Sequence, residues 1–92
     1  MEEIKQLRQE LKKALLDQVQ ILAQINMKLC AEMKILSSEE VIRAILLRKD
    51  SQMMFHHLSS HIEKESEQIR KNSGTIQGLV LDVLDIESNE EV

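Results

Sequence analysis

The sequence predicts an all-α protein of the coiled-coil or helical-bundle class, and its composition supports that prediction in two ways. The 92 residues include no proline and only two glycines, the residue types that most often interrupt helices. Phe55 is the only aromatic residue, so the apolar surface consists of aliphatic side chains and methionine. We therefore expect long helices that are separated by few turns.

The first predicted helix spans residues 2–36. Its main apolar residues recur at steps of three and four, which is the spacing of one helical face, with a gap at Gln18: Ile4, Leu7, Leu11, Leu15, Leu22, Ile25, Leu29, Met33 and Leu36. From Ala14 onward, further aliphatic residues lie outside this stripe, so the apolar surface covers more than one face. One antiparallel helix cannot cover such a surface, and its width predicts additional helical partners.

Two polar residues lie in or beside this apolar stripe. Gln18 interrupts the stripe, and Asn26 flanks it. A buried polar residue in a coiled coil can fix the register of the helices at a cost in stability. The alternative is that Gln18 points to solvent at the edge of the stripe, and the sequence leaves both interpretations open.

The first turn is predicted at Ser37-Ser38. Ser37 and Glu40 have the spacing of a capping box, in which the serine oxygen accepts a hydrogen bond from a backbone N–H at the helix start. The short connection predicts that a second helix, over about 39–72, folds back antiparallel on the first. Within it, the polar interval 48–51 is a candidate for a kink or a fresh helix start.

A second break is predicted at Asn72-Ser73-Gly74, because glycine is favoured just past the end of a helix. A C-terminal helix over about 75–87 would follow. One continuous helix through Gly74 is the alternative, since the apolar positions on both sides stay in phase. We expect one helical domain over 1–87 and a frayed acidic tail over 88–92.

The sequence predicts no enzyme, and we expect no catalytic residue, metal or cofactor. His57, His61 and Glu65 share a helical face at intervals of four, and such side chains can bind zinc. Without further ligands nearby in the sequence, the pattern favours a solvated polar face. Cys30 is the only cysteine, so no internal disulfide forms, and we expect it to be a small buried apolar side chain.

Charge and hydropathy exclude two classes of partner. The net charge is −4, and no basic stripe of the kind that neutralises phosphates is present, so we expect no direct binding to nucleic acid. The longest apolar runs are too short to span a membrane. We expect an intracellular protein, nuclear or cytoplasmic.

These features predict a non-catalytic structural subunit of a helical multiprotein assembly. It would bind protein partners by helix–helix packing, in a hetero-oligomer or a homo-oligomer. The alternatives are a regulatory adapter that presents a helical groove to a partner helix or peptide, and a vesicle-tethering coiled coil. The predicted partner interface consists of Leu15, Val19, Leu22, Ile25, Leu29, Met33, Ile76, Leu79, Val80 and Val83.

The segment 62–84, IEKESEQIRKNSGTIQGLVLDVL, joins a charged helix with spaced Ile and Arg residues to an apolar helix. It resembles the C-terminal helical portion of the inner-kinetochore centromere protein H family. The apolar part of the resemblance lies at Thr75, Ile76, Gln77, Leu79, Val80 and Leu81. The resemblance implies a nuclear, centromere-associated helical subunit that pairs with another coiled-coil chain.

Overall fold

The protein is a long antiparallel helical hairpin, as predicted. A computed structural model describes residues 1–90, except for the side chain of Glu90. Three helices follow one another along the chain: α1 (Glu2–Leu36), α2 (Glu39–Leu46) and α3 (Ser51–Glu90). α1 packs along α3, and the short α2 contacts both at the closed end of the hairpin. The result is a rod of 70 × 16 × 15 Å, two helices wide over most of its length.

Three side-chain contacts show that α1 and α3 run in opposite directions, because the residue numbers rise along one helix as they fall along the other. They are the ion pair between Lys12 Nζ and Glu87 Oε1 at 3.0 Å, the hydrogen bond from Asn72 Nδ2 to Asn26 Oδ1 at 3.0 Å, and the contact of Ser66 Oγ with Met33 Sδ at 3.9 Å.

The buried and half-buried positions of both long helices alternate at steps of three and four, which is the spacing of a coiled-coil seam. On α1 the positions with this spacing are Leu15, Val19, Leu22, Asn26, Leu29, Met33 and Leu36; Lys12 and Ala23 are half-buried outside it. On α3 the positions with this spacing are Phe55, Leu58, Ile62, Glu65, Ile69, Asn72, Ile76, Leu79, Val83 and Ile86; Ser51, Met54, Ser60 and Glu87 are half-buried outside it. We call these two sets together the hairpin seam.

The Ser37-Ser38 turn is confirmed, but the capping residue is Ser38 rather than Ser37. The backbone N–H of Ser37 still donates to the Met33 carbonyl at 3.0 Å, so Ser37 closes the last turn of α1. Its hydroxyl donates to the same carbonyl at 2.7 Å. Ser38 has extended backbone angles, and its Oγ accepts from the Val41 N–H at 3.4 Å, as an N-cap does.

The second break lies in the polar interval 48–51, and the break predicted at Asn72-Ser73-Gly74 is wrong. α2 ends at Leu46, and α3 is one helix of 40 residues that continues through Gly74. The Asp50 carbonyl accepts from the Met54 N–H at 3.0 Å and so begins the hydrogen bonding of α3. Consequently, the segment predicted as a separate helix over 75–87 is the second half of α3.

Burial explains why α3 does not end at Gly74. A helical glycine costs about 1 kcal/mol relative to alanine. Full burial of an aliphatic side chain contributes about 1.5–3 kcal/mol, and the seam positions Ile76, Leu79 and Val83 lie beyond the glycine on the same face. Ending the helix at Gly74 would move these three residues out of their positions against α1. The frayed tail predicted over 88–92 is wrong for residues 88–90, because α3 extends through Glu90; the last two residues of that prediction lie outside the described part of the chain.

The hairpin has little core of its own. Within the described residues, the only buried apolar side chains are Ile45, which is 7% exposed, and Val83, which is 6% exposed. No described side chain is completely enclosed. The other apolar seam residues are only half-buried, because two helices alone cover each other on one side.

Candidate functional site

The predicted interface residues divide into two groups in the structure. All of them except Ile25 and Val80 belong to the hairpin seam and are buried or half-buried against the opposite helix. Ile25 is 41% exposed and Val80 is 38% exposed. Contact of these ten residues with a partner stays a prediction. Eight of them are already covered in part by the opposite helix, so the exposed apolar side chains are mostly other residues.

A second, accessible apolar stripe runs along α1. It follows the same three-and-four spacing as the seam, one position away, and consists of Ile4, Leu7, Leu11, Ala14, Gln18, Ile21 and Ile25. We call this set the outer stripe. Every member is exposed, up to 64% for Leu7. A second coiled-coil seam on one helix is the pattern expected where a further helix packs.

The two edges of the outer stripe differ in chemistry. One edge carries the exposed Arg8 and then Leu15 and Leu22, which belong to the hairpin seam. The other carries an exposed acidic residue once every seven positions, at Glu3, Glu10 and Asp17. Residues at intervals of seven form one line along a helix. The outer stripe is therefore an apolar surface with one border that is exposed and acidic at all three of these positions.

The polar residues of α1 resolve into two roles. Gln18 is an exposed member of the outer stripe, which agrees with the interpretation that it points to solvent. Asn26 instead lies in the hairpin seam opposite Asn72. Asn26 Nδ2 also donates to the Ser73 hydroxyl at 3.3 Å and to the Ile69 carbonyl at 3.4 Å. Gln68 Nε2 donates to Asn72 Oδ1 at 2.9 Å, so the layer is connected on both helices.

This asparagine layer sets the register of α1 against α3. Asn72 is 7% exposed, and a buried amide without partners would lose its hydrogen bonds to water uncompensated. Shifting one helix by a heptad would separate the two asparagines and place Asn72 against Val19 or Met33. The interpretation that a polar residue in the seam fixes the register therefore applies to Asn26 and not to Gln18.

A second polar cluster joins α1 and α3 near the closed end. His61 Nε2 forms an ion-pair contact with Glu65 Oε1, and the donor atoms of Glu32, His61 and Glu65 all lie within 4.8 Å of one another. Glu65 occupies a hairpin-seam position. His57, which the sequence groups with His61 and Glu65, lines a neighbouring groove of about 520 Å³ with His61. It is not part of the cluster, and Glu32 of α1 takes its place.

Two exposed ion pairs shift pKa values on the surface. Arg48 donates to both carboxylate oxygens of Asp50, at 2.8 and 3.3 Å, and this hydrogen bonding holds the pKa of Asp50 below its ordinary value. The hydrogen bond from Arg70 lowers the pKa of Glu67 in the same way. Both pairs lie away from the outer stripe. Exposed pairs of this kind contribute little stability.

Cys30 is exposed, so the expectation of a buried apolar side chain is wrong. Its neighbour Leu29 takes the seam position, and one residue of α-helix turns the next side chain by about 100°. Cys30 consequently lies off the seam.

The fold defines the class: an all-α helical hairpin of the coiled-coil type. The chain matches no protein-family model, no curated protein and no solved structure. In residues 1–90, no helix has an apolar stretch of the length and hydropathy that crossing a bilayer requires.

Proposed function

We propose that the protein is a non-catalytic structural subunit of a helical multiprotein assembly, and that the outer stripe of α1 is where its partner packs. The exposed second seam is the observation that supports this proposal. It runs over 4–25 on α1, and no described helix of the chain covers it. The thin core of the hairpin is a second support, since a further helix would complete the burial of half-covered residues.

The outer stripe offers enough apolar surface for helix binding. Its five large aliphatic members, Ile4, Leu7, Leu11, Ile21 and Ile25, are each between 41% and 64% exposed. Completing the burial of a half-exposed aliphatic side chain gains about 1 kcal/mol, so the five together gain about 5 kcal/mol before the costs of association. Burial of the half-covered seam residues adds to this gain.

Charge favours a different chain over a second copy. In a parallel homodimer through the outer stripe, Glu3 would face Arg8 of the other copy, but Glu10 and Asp17 would face Leu15 and Leu22, with no base opposite those two acids. In an antiparallel homodimer, the acidic border would face itself. We therefore infer a partner helix with apolar residues at steps of three and four and with Lys or Arg along one edge.

The resemblance of residues 62–84 to the centromere protein H family suggests where such a partner works. We propose a kinetochore assembly in the nucleus, in which another coiled-coil chain supplies the partner helix. The resemblance lies on α3, and the outer stripe lies on α1, so each supports the proposal separately.

Site-specific photo-cross-linking in cells tests the proposal. A photoreactive residue at Leu11 lies on the outer stripe, whereas one at Gln9 lies close by but on a different face of the same helix. We expect Leu11 to cross-link to a helix of another protein with apolar three-and-four spacing and a basic edge, and Gln9 not to. Equal cross-linking from both positions, or cross-linking to a second copy of this chain, would contradict the proposal.

A matched pair of substitutions gives a second test. Leu11→Glu places a charge in the outer stripe and should abolish co-purification of the cross-linked partner. Gln9→Glu adds the same charge outside the stripe and should leave co-purification unchanged. Far-ultraviolet circular dichroism of both variants verifies that the helices are retained.

A further inference from the structure

The cluster of Glu32, His61 and Glu65 has a feature that the fold alone does not explain. Glu65 occupies a position in the hairpin seam and is only 6% exposed. Neither of its carboxylate oxygens has a hydrogen-bond partner among the described residues. The only contact given for either oxygen is the ion-pair contact of His61 Nε2 with Oε1. A buried carboxylate with so little compensation is costly, so the site calls for a cation.

The surrounding groups supply the other ligands of such a cation. His61 precedes Glu65 by four residues on α3, which places both side chains on one helical face. Glu32 reaches the same point from α1. The three donor atoms lie within 4.8 Å of one another. Zinc bonds of about 2.0–2.2 Å in tetrahedral geometry place donors roughly 3.3–3.6 Å apart, and the exposed side chains of Glu32 and His61 can rotate to reach that spacing.

The donor set selects the kind of metal. One imidazole nitrogen and two carboxylates suit zinc, whereas Mg²⁺ and Ca²⁺ prefer sites made entirely of oxygen. Among the common divalent ions that bind such mixed ligands, zinc is held more tightly than manganese or iron. Three protein ligands leave the fourth position of a tetrahedral site for water.

We propose that Glu32, His61 and Glu65 form a zinc site that joins α1 to α3. The ion would compensate the buried carboxylate of Glu65 and would link residues 33 positions apart in the sequence. Because the unfolded chain does not hold these three groups together, zinc would bind the folded hairpin preferentially and stabilise it. This proposal does not depend on the partner helix proposed for the outer stripe.

Calorimetric titration of the purified full chain with Zn²⁺ tests the site. We expect one zinc ion per chain and a higher melting temperature in the presence of zinc, with no comparable rise in Mg²⁺. Glu65→Gln, His61→Ala and Glu32→Gln should each weaken zinc binding by about tenfold or more. Visible absorption of the Co²⁺-loaded chain should show the intense bands of tetrahedral coordination, and Glu65→Gln should remove them.

Matched substitutions on α3 separate the site from general surface binding. Glu63→Gln and His56→Ala change the same residue types at exposed positions outside the cluster, and they should leave zinc affinity unchanged. Glu65→Gln keeps the shape of the side chain and removes the buried charge, so the helices should persist in circular dichroism. The proposal is overturned if the wild-type chain binds zinc no more tightly than Glu65→Gln, or if His56→Ala weakens binding as much as His61→Ala.

Discussion

Replacing Asn72 by alanine should lower the free energy of unfolding by about 1.5 kcal/mol. The substitution removes two hydrogen bonds, one to Asn26 at 3.0 Å and one from Gln68 at 2.9 Å. At a net contribution of about 1 kcal/mol each, the loss is about 2 kcal/mol. The higher helix propensity of alanine returns roughly 0.5 kcal/mol. Asn89→Ala, at an exposed position of the same helix, should not destabilise the protein.

A double-mutant cycle isolates the bond between the helices. Asn26→Ala should destabilise the hairpin by a similar amount, since Asn26 takes part in three hydrogen bonds, two of them longer than 3.2 Å. The two substitutions share one bond, so the double variant should lose about 1 kcal/mol less than the sum of the single losses. Urea denaturation followed by circular dichroism measures each value. Additive losses, or a loss below about 0.3 kcal/mol for Asn72→Ala, would refute the account of the layer.

Three further predictions concern packing, helix continuity and charge. Val83→Ala should cost about 1.6 kcal/mol in urea denaturation, from two buried methylene equivalents, and Val80→Ala, which is 38% exposed, should cost clearly less. Gly74→Ala should stabilise the protein by about 1 kcal/mol in the same assay, because a Cβ there meets no atom within 4 Å; destabilisation would indicate a helix end at this glycine. The hydrogen bond from Arg48 lowers the pKa of Asp50 below its ordinary value of 3.8. The stabilisation from this bond is therefore present at neutral pH and is lost as the pH falls through the lowered pKa of the folded protein. In an NMR titration, Arg48→Ala should raise the pKa of Asp50.

Periodicity predicted the helices well where the apolar residues are dense. α1 spans the predicted residues because its three-and-four pattern is nearly unbroken from Ile4 to Leu36. The same kind of pattern continues in α3 on both sides of Gly74, where Ile69, Ile76 and Val83 recur every seven residues and indicate one continuous helix. The local glycine signal predicts a break, but a helical glycine costs only about 1 kcal/mol, which is less than the burial gained by the seam residues beyond it.

The polar clusters depended on pairing between helices and were harder to predict. Asn72 occupies a seam position between Ile69 and Ile76, and this spacing marks it as buried once α3 is taken as continuous. Its partner Asn26 follows only from the antiparallel register. Glu32 and Glu65 meet for the same reason, and no pattern within α3 alone could have supplied a ligand from α1.

Knowing which apolar stripe of α1 stays accessible also requires the packing of α1 against α3. The sequence shows that α1 is apolar on more than one face, but it does not show which stripe packs within the chain. The structure uses the stripe with Leu15 and Leu22 for the hairpin seam and leaves the outer stripe exposed. A stripe that carries Gln18 and an acidic border is less apolar, and packing within the chain uses the more apolar one.

The free energy of unfolding of the isolated chain, measured by urea denaturation together with sedimentation equilibrium, tests the central claim most directly. The claim is that this hairpin needs a partner helix to complete its packing. We predict a monomer with a free energy of unfolding below about 5 kcal/mol, under the range of ordinary independent domains. A monomer at about 10 kcal/mol or more would contradict the claim, because the hairpin would then be stable without any partner.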